Sequence, residues 1–133
     1  MHHMIFVNLP VADVERSREF FGKLGYSFNE EFCQEGVAAS LVLGENLFAM
    51  LLGRDHFATF HSGATAEPGT HEVLTALTAN SRDEVDQLVD AAIAAGATNG
   101  RTQEMGEFMY GRSYADMDGH IWEIMWMDPT ASA

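Results

Sequence analysis

Apolar and polar residues alternate over residues 4–10 and then change to a helical period. The alternation places a row of aliphatic side chains on one face of an extended segment, with Phe6 and Asn8 on the other face. Asp13 follows at the position of a helix N-cap, and apolar residues recur at helical spacing through residues 14–24 before a glycine. The pattern therefore predicts a strand followed by an amphipathic helix.

Three short apolar segments complete the first half of the chain. They cover residues 26–32, 37–43 and 46–52, and the Gly44-Glu45 pair between the last two is typical of a tight hairpin turn. The first half is thus predicted to run strand, helix, strand, strand, strand.

The same order returns after a stretch without a sustained period. Residues 54–71 contain many Gly, Ser and Thr and are the predicted linker, with a short helical turn around residues 56–60. A strand is predicted at residues 72–79, and Ser81 and Glu84 form a capping box at the start of a second helix that ends before a glycine. Three further strands are predicted at residues 97–103, 108–115 and 120–126, with a turn at Asp118-Gly119 between the last two.

Two copies of one element order predict an α+β fold made of duplicated βαβββ modules. We expect one domain over residues 1–133, with module one at 1–53, the linker at 54–71 and module two at 72–127. Because each module has one helix for a whole sheet, the sheets are expected to form a cupped mixed sheet with the helices on its outer face. A concave surface between duplicated halves is a place where a small ligand binds. The alternative is a ferredoxin-like sandwich with a filled core and no pocket.

Two blocks of the sequence resemble the vicinal oxygen chelate superfamily of glyoxalases, bleomycin-resistance proteins and extradiol dioxygenases. They are the opening FVNLPVADVERSREFFGKLGY and the closing YGRSYADMDGHIWEIMWMD. In that family an aspartate-glycine turn leads into a final strand whose glutamate points into the cup as a metal ligand, and Glu123 after Asp118-Gly119 matches it. Together with the duplicated element order, the resemblance covers nearly the whole chain.

The resemblance also implies where the other three metal ligands would stand. The first-strand position that is His or Gln in metal-dependent glyoxalases falls on Phe6, and the second-half histidine position falls on Leu74. The remaining carboxylate position, on the last strand of the first half, falls on Met50. Only Glu123 is a donor, whereas a catalytic divalent ion needs three or four His or carboxylate ligands. We therefore expect no metal and no other cofactor, with a divalent metal held by a different donor set as the alternative.

Polar residues of the closing block indicate how a cup without a metal would hold its glutamate. Tyr110, Arg112 and Tyr114 alternate on one face of the penultimate strand, and we expect the hairpin to place Arg112 nearly opposite Glu123. A buried carboxylate persists when it is paired, so Arg112 either neutralises Glu123 or, with the tyrosines, also grips a ligand. No catalytic residue is predicted. The predicted ligand-binding residues are Phe6, Asn8, Met50, Leu74, Tyr110, Arg112, Tyr114 and Glu123.

Two other groups of residues receive different interpretations. Trp122 and Trp126 alternate with Glu123 along the last strand, so we expect them to pack under a helix on the opposite face. The six histidines fall in loops, in a turn or near the first residue, without the spacing that a shared ion requires. A fortuitous metal site formed by His71, Glu72 and Glu123 remains as an alternative.

The composition excludes several classes of partner. Seven Lys and Arg against 20 Asp and Glu leave a formal charge of −13, which repels nucleic acid and anionic membrane surfaces. The opening MHHMIFVNLP has no basic leader followed by a long apolar run, so we expect a cytoplasmic location. A single cysteine, Cys33, excludes an internal disulfide and a multi-cysteine metal motif. Because relatives commonly pair and an open sheet has edges to cover, we expect a homodimer.

Three functions are compatible with these patterns. The favoured one is a glyoxalase/bleomycin-resistance-like protein that binds a small hydrophobic or anionic molecule in the cup without the family metal. The alternative is a metal-dependent enzyme that resembles lactoylglutathione lyase or a dioxygenase, and the third is a regulatory or scaffold protein with a vestigial cup. Ligand count separates the first two, and three apolar residues at donor positions favour binding.

Overall fold

A computed structural model describes residues 1–130, so residues 131–133 of the predicted domain lie outside the described part. The repeated order of strand, helix and three strands is present in both halves, which confirms the α+β class and the duplicated βαβββ modules. The elements are β1 (Ile5–Val11), α1 (Val14–Lys23), β2 (Ser27–Phe28), β3 (Ala38–Gly44), β4 (Leu47–Gly53), α2 (Arg54–Ala58), β5 (Thr75–Thr78), α3 (Arg82–Ala94), β6 (Thr98–Met105), β7 (Met109–Ala115) and β8 (Ile121–Met127). The chain divides into two compact units between Glu67 and Pro68, inside the predicted linker.

The signals that predicted α1 act as expected. The Asp13 carboxylate accepts a hydrogen bond from the Arg16 amide at 3.1 Å, which satisfies one of the free N–H groups at the start of the helix. Gly25 takes the left-handed φ of +97° just after the helix ends. Along one stripe of the helix, Phe20 and Phe21 are almost fully buried.

Module one builds a four-stranded sheet, here called sheet 1, in the order β1-β4-β3-β2. Strand β1 runs parallel to β4, and β4 is antiparallel to β3. Alternate residues such as Leu9, Leu41 and Leu51 are buried on the face that α1 covers. On that face Val14 of α1 lies 3.9 Å from the point where a Cβ would stand on Gly53. The opposite surface is called the far face of sheet 1.

Module two repeats this plan as sheet 2, in the order β5-β8-β7-β6. The Ser81 hydroxyl accepts a hydrogen bond from the Glu84 amide at 3.0 Å, as the capping box predicts. The Glu84 carboxylate, however, accepts from the Asn80 amide at 3.3 Å, one residue before the cap. Helix α3 packs on β7 and β8, where Trp122 and Ile124 are fully buried. The surface away from α3 is called the far face of sheet 2.

Three predicted segments differ in extent from the structure. Only Ser27–Phe28 of residues 26–32 pairs as a strand, because the Asn29 side chain accepts a hydrogen bond from the Glu31 amide and starts a 3₁₀ turn. Strand β5 begins at Thr75, so Leu74 stands just before it. The short helix α2 begins earlier than residues 56–60. Among the described residues, none of the helices has the length and apolar character needed to cross a membrane.

Candidate functional site

The β7–β8 hairpin decides which side chains share a face with Glu123. Its loop covers residues 116–120, closed by a 2.9 Å hydrogen bond from the first amide to the last carbonyl oxygen. Glu123 therefore pairs with Ser113, and Arg112 pairs with Ile124. The prediction that Arg112 stands opposite Glu123 is wrong, because a one-residue change of register moves a side chain to the other face of a sheet.

Arg112, Tyr110 and Tyr114 do share one face, as predicted, but it is the face covered by α3. The Arg112 guanidinium Nη1 donates to the Asp86 carboxylate at 3.1 Å and to the Asp90 carboxylate at 2.9 Å. The Tyr110 hydroxyl donates to Asp86 at 2.6 Å, and the Tyr114 side chain is fully buried. The expectation that these three side chains share a face with Glu123 is therefore wrong, since they lie on the opposite face and join α3 to its sheet.

The electrostatics of this cluster fit a structural role. The hydrogen bond from the Tyr110 hydroxyl, with a further contribution from Arg112, lowers the pKa of Asp86 below the usual aspartate value. The same bond to the carboxylate raises the pKa of Tyr110, because the phenol is most stable as a donor. An anionic Asp86 thus holds a neutral tyrosine and a cationic arginine against α3.

A buried carboxylate fixes the start of the strand that carries Glu123. The Asp116 side chain accepts hydrogen bonds from the backbone amides of Asp118 at 2.9 Å and His120 at 3.0 Å, and from the Trp122 indole at 2.9 Å. Burial raises the pKa of Asp116, while these hydrogen bonds oppose the rise. Asp116 thereby anchors the loop and the buried Trp122, and with them the direction in which β8 presents Glu123.

Phe6, Asn8 and Met50 come together on the far face of sheet 1. Asn8 pairs with Met50, and Phe6 pairs with Phe48 one step along the same two strands. The Phe6 and Phe48 rings stack with their centroids 5.1 Å apart, and Phe6 remains 48% exposed. Strand β3 adds Ser40 to the row of Asn8 and Met50, and the buried Ser40 hydroxyl has no hydrogen-bond partner among the described residues. This face offers apolar contact area and one buried hydroxyl.

Glu123 lies on the far face of sheet 2, between Ala76 on β5 and Ser113 on β7. Its half-buried carboxylate has no hydrogen-bond or ion-pair partner in the part of the chain that the structure describes. The Ser113 hydroxyl accepts from the Arg101 amide at 2.9 Å on the neighbouring strand. Leu74 is 55% exposed and precedes the strand, so strand pairing does not fix its direction.

A shallow depression surrounds Glu123 on this face. Its cavity volume is about 10 Å³, roughly the space of one water molecule, so within module two the surface is an open wall instead of a closed pocket. Sequence reasoning missed most of its lining, although the alternation of β8 about Glu123 could have indicated Met125. The lining residues are Arg101, Gln103, Gly111, Arg112, Ser113, Glu123 and Met125.

Known proteins share this architecture. A family model described as bleomycin resistance protein-like N-terminal matches residues 3–39. A hypothetical protein from S. aureus superposes with a TM-score of 0.79 at 26% identity, covering 95% of this chain and 94% of that one. A glyoxalase-related enzyme from Fulvimarina pelagi has a TM-score of 0.79 at 21% identity, with 95% and 88% covered. No curated protein matches the sequence.

A third structure carries the superfamily's combined name. It is a glyoxalase/bleomycin resistance protein/dioxygenase family enzyme from Burkholderia phytofirmans, with a TM-score of 0.75 at 20% identity over 92% of this chain and 97% of that chain. The chain has the vicinal oxygen chelate fold. At the level of the fold, these findings agree with the resemblance found in the opening and closing blocks, and the family model adds a match to residues 3–39.

The residues at the expected ligand positions of this vicinal oxygen chelate fold do not fit a divalent metal. Phe6 and Leu74 have hydrocarbon side chains and Met50 has a soft thioether, which leaves Glu123 as the one oxygen donor of the four. Within residues 1–130 there is no group of three or more His, Cys, Asp or Glu placed to hold a metal ion. A site made of His71, Glu72 and Glu123 is therefore not assembled.

Proposed function

We propose that this protein is a glyoxalase/bleomycin-resistance-like binding protein that holds a small hydrophobic molecule against the far face of sheet 1, without the family metal. The observation that carries the proposal is the chemistry of the donor positions, where Phe6, Met50 and Leu74 supply apolar surface in place of metal ligands. Without a metal to polarise an oxygen, the fold retains a surface for binding but loses the means of the family's metal chemistry.

The far face of sheet 1 supports a hydrophobic ligand. Phe6 and Phe48 already stack in parallel, so a planar molecule can extend the stack from the exposed side of Phe6. Covering one such aromatic side chain contributes about 1.5–3 kcal/mol. Met50 in the next row adds a flexible thioether that adapts to the shape of a ligand.

An anionic group on the ligand would need a cation other than Arg112, the one predicted from the sequence for that role. Arg112 is held by Asp86 and Asp90 on the helix side, so its charge is already neutralised. Arg101 lines the depression beside Glu123 and is the available guanidinium on the far face of sheet 2. Because Arg101 belongs to module two and the proposed binding surface to module one, the proposal favours a hydrophobic molecule over an anionic one.

The enzymatic alternative has support at the level of fold alone. A structure named lactoylglutathione lyase from Agrobacterium tumefaciens superposes with a TM-score of 0.70 at 14% identity, covering 95% of this chain and 94% of that one. A shared fold does not carry over an activity when the ligand set differs. The homodimer and the cytoplasmic location stay predictions, the first of which light scattering would measure.

A pair of neighbouring substitutions tests the proposal, with anilinonaphthalene sulfonate as an anionic aromatic probe. Phe6→Asp should weaken probe binding at least roughly tenfold, because a charge replaces an apolar contact worth over about 1.4 kcal/mol. Ile5→Asp is the matched control, since Ile5 is 54% exposed, close to the 48% of Phe6, but points to the other face of the same strand. Fluorescence titration measures both, and circular dichroism verifies that both variants fold.

Two outcomes would contradict the proposal. If both variants fold and lose probe binding equally, the probe does not bind specifically to the far face of sheet 1. Elemental analysis that finds one equivalent of zinc, nickel, iron or manganese in protein purified without an affinity tag would contradict the metal-free state.

A further inference from the structure

The far face of sheet 2 carries a concentration of methionine that the proposed function does not use. The chain has eight methionines, and strand pairing places four of them, Met105, Met109, Met125 and Met127, on this one face. Met105 pairs with Met109, and Met109 pairs with Met127, so three thioethers stand in a single row across β6, β7 and β8.

The geometry of the row lets the three sulfur atoms converge. Directly paired residues on adjacent antiparallel strands have Cα atoms about 4.5–5.5 Å apart. Met109 is central and half-buried, while Met105 and Met127 flank it and are 63% and 55% exposed. Each side chain has three rotatable bonds, so the outer two can bend over the central one without moving the backbone.

A fourth thioether lies in the adjacent row. Met125 pairs with Gly111, and its Cγ and Cε both lie 3.3 Å from the point where a Cβ would stand on that glycine. The Met125 side chain therefore lies across the space that the missing side chain leaves on β7. This keeps a thioether beside the row of three.

We propose that Met105, Met109 and Met127 form a binding site for a soft monovalent cation, Cu(I) or its redox-inert analogue Ag(I). Thioethers are soft ligands that select such ions, whereas Zn²⁺, Mg²⁺ and Ca²⁺ prefer the nitrogen, thiolate or oxygen donors that this row lacks. The formal charge of −13 attracts a cation to the protein. The exposure of the outer two residues leaves the row open to an ion from solution.

Leucine substitution separates this site from a surface that is merely apolar. Leucine keeps the volume and hydrophobicity of methionine but has no sulfur, so the triple variant Met105→Leu, Met109→Leu, Met127→Leu should fold and lose the ion. We expect at least a roughly 100-fold loss of Ag(I) affinity, since even outer-shell changes at metal sites cost about 10- to 100-fold. The double variant Met4→Leu, Met117→Leu is the control, with both methionines exposed and outside the row, and should bind Ag(I) as the parent does.

The titrations use the full chain with Cys33→Ser, because a free thiol binds Ag(I) by itself. Signals of the methionine methyl groups, followed by NMR, should shift at Met105, Met109 and Met127 with one equivalent of Ag(I). Competition with a Cu(I) chelator under reducing conditions gives the Cu(I) affinity. Because thioethers bind no proton, the affinity should change by less than about threefold between pH 7 and pH 5, unlike that of a histidine or cysteine site.

Retention of Ag(I) binding by the triple variant, or a steep loss of affinity as the pH falls, would overturn the thioether site. The same variant titrated with anilinonaphthalene sulfonate keeps the two proposals distinguishable. Leucine preserves apolar contacts, so failure of the cation site leaves probe binding unchanged, whereas failure of the proposed function appears in Phe6→Asp and leaves the Ag(I) titration unchanged.

Discussion

Sheets 1 and 2 have the same strand order, but equivalent positions on their far faces carry different side chains. In the central row, β3 and β7 each contribute a serine, whereas β4 contributes a thioether and β8 contributes a carboxylate. The two rows are Asn8, Met50 and Ser40 in sheet 1, and Ala76, Glu123 and Ser113 in sheet 2. The backbone plan has thus been kept twice, while the chemistry of the exposed row is free to differ.

The two modules fill their cores with large side chains from different elements, the helix in module one and a strand in module two. In module one the helix supplies large rings, Phe20 and Phe21, and the strand residue just before Met50 is the small Ala49. In module two the strand residue just before Glu123 is the large Trp122, and the facing helix has small buried residues such as Val89. A filled core requires a matched total volume, so each module meets the same demand from opposite partners.

The largest expected effects come from removing the bulky partner of each module. Phe21→Ala and Trp122→Ala should each lower the free energy of unfolding by about 3–5 kcal/mol, because both side chains are at most 1% exposed and leave a cavity. Trp122→Ala should be the more costly, since it also removes the hydrogen bond to the buried Asp116 carboxylate. Urea denaturation of both variants measures the difference.

A third variant separates the two contributions of Trp122. Trp122→Phe keeps most of the ring volume and removes only the indole donor, so it should recover more than half of the loss. If Trp122→Ala proves no more costly than Phe21→Ala and Trp122→Phe restores nothing, the contrast between strand-filled and helix-filled cores is wrong.

A smaller effect is expected at the ionic cluster of Arg112, Asp86 and Asp90 under α3. The buried residues of α1 in module one include no charged side chain. Arg112→Met should cost about 1–2 kcal/mol, less than a fully buried charged pair because Asp86 and Asp90 are 44% and 67% exposed. Asp86→Asn should add little in the Arg112→Met background, since both changes remove one interaction. Double-mutant cycles in urea measure this coupling.

Glu123 provides the matched control for that cycle. It lies on the opposite face of the sheet, so the effects of Arg112→Met and Glu123→Leu on stability should add. Strong coupling between Arg112 and Glu123, with none between Arg112 and Asp86, would contradict the observed register.

The same hairpin shows where sequence reasoning reached its limit. Element order, the caps at Asp13 and Ser81 and the burial of Trp122 were predictable, because each depends on local spacing or on strand alternation. The partner of Arg112 was not predictable, since it depends on whether the loop at 116–120 holds an odd or even number of residues. The Asp118-Gly119 pair does not by itself indicate that the Asp116 carboxylate accepts hydrogen bonds from the amides of Asp118 and His120 and so fixes a five-residue loop.

The methionine row was missed for a related reason. Methionine is common in cores, and the four residues are spread over three strands, so their shared face appears only once the register is known. The far-face positions of Phe6, Asn8 and Met50, by contrast, follow from alternation within single strands. Sequence thus predicted which side chains share a strand face but not which strands bring them together.

The smallest expected effect is a pair of pH dependences of opposite sign within module two. The pKa of Asp86 is lowered, so the stability it contributes is present above the unfolded value of 3.8 and is lost as the pH falls through its folded pKa. The pKa of Asp116 is raised by burial, so the stability that Asp116 contributes is complete below pH 3.8 and is lost as the pH rises through its folded pKa.

Urea midpoints of the parent, Asp86→Asn and Asp116→Asn across acidic pH measure both pH dependences. The stability difference between the parent and Asp86→Asn should shrink toward low pH, whereas the parent should lose stability relative to Asp116→Asn as the pH rises above 3.8. Parallel curves for the two variants would show that the exposed cluster under α3 and the buried loop carboxylate do not differ electrostatically as their surroundings require.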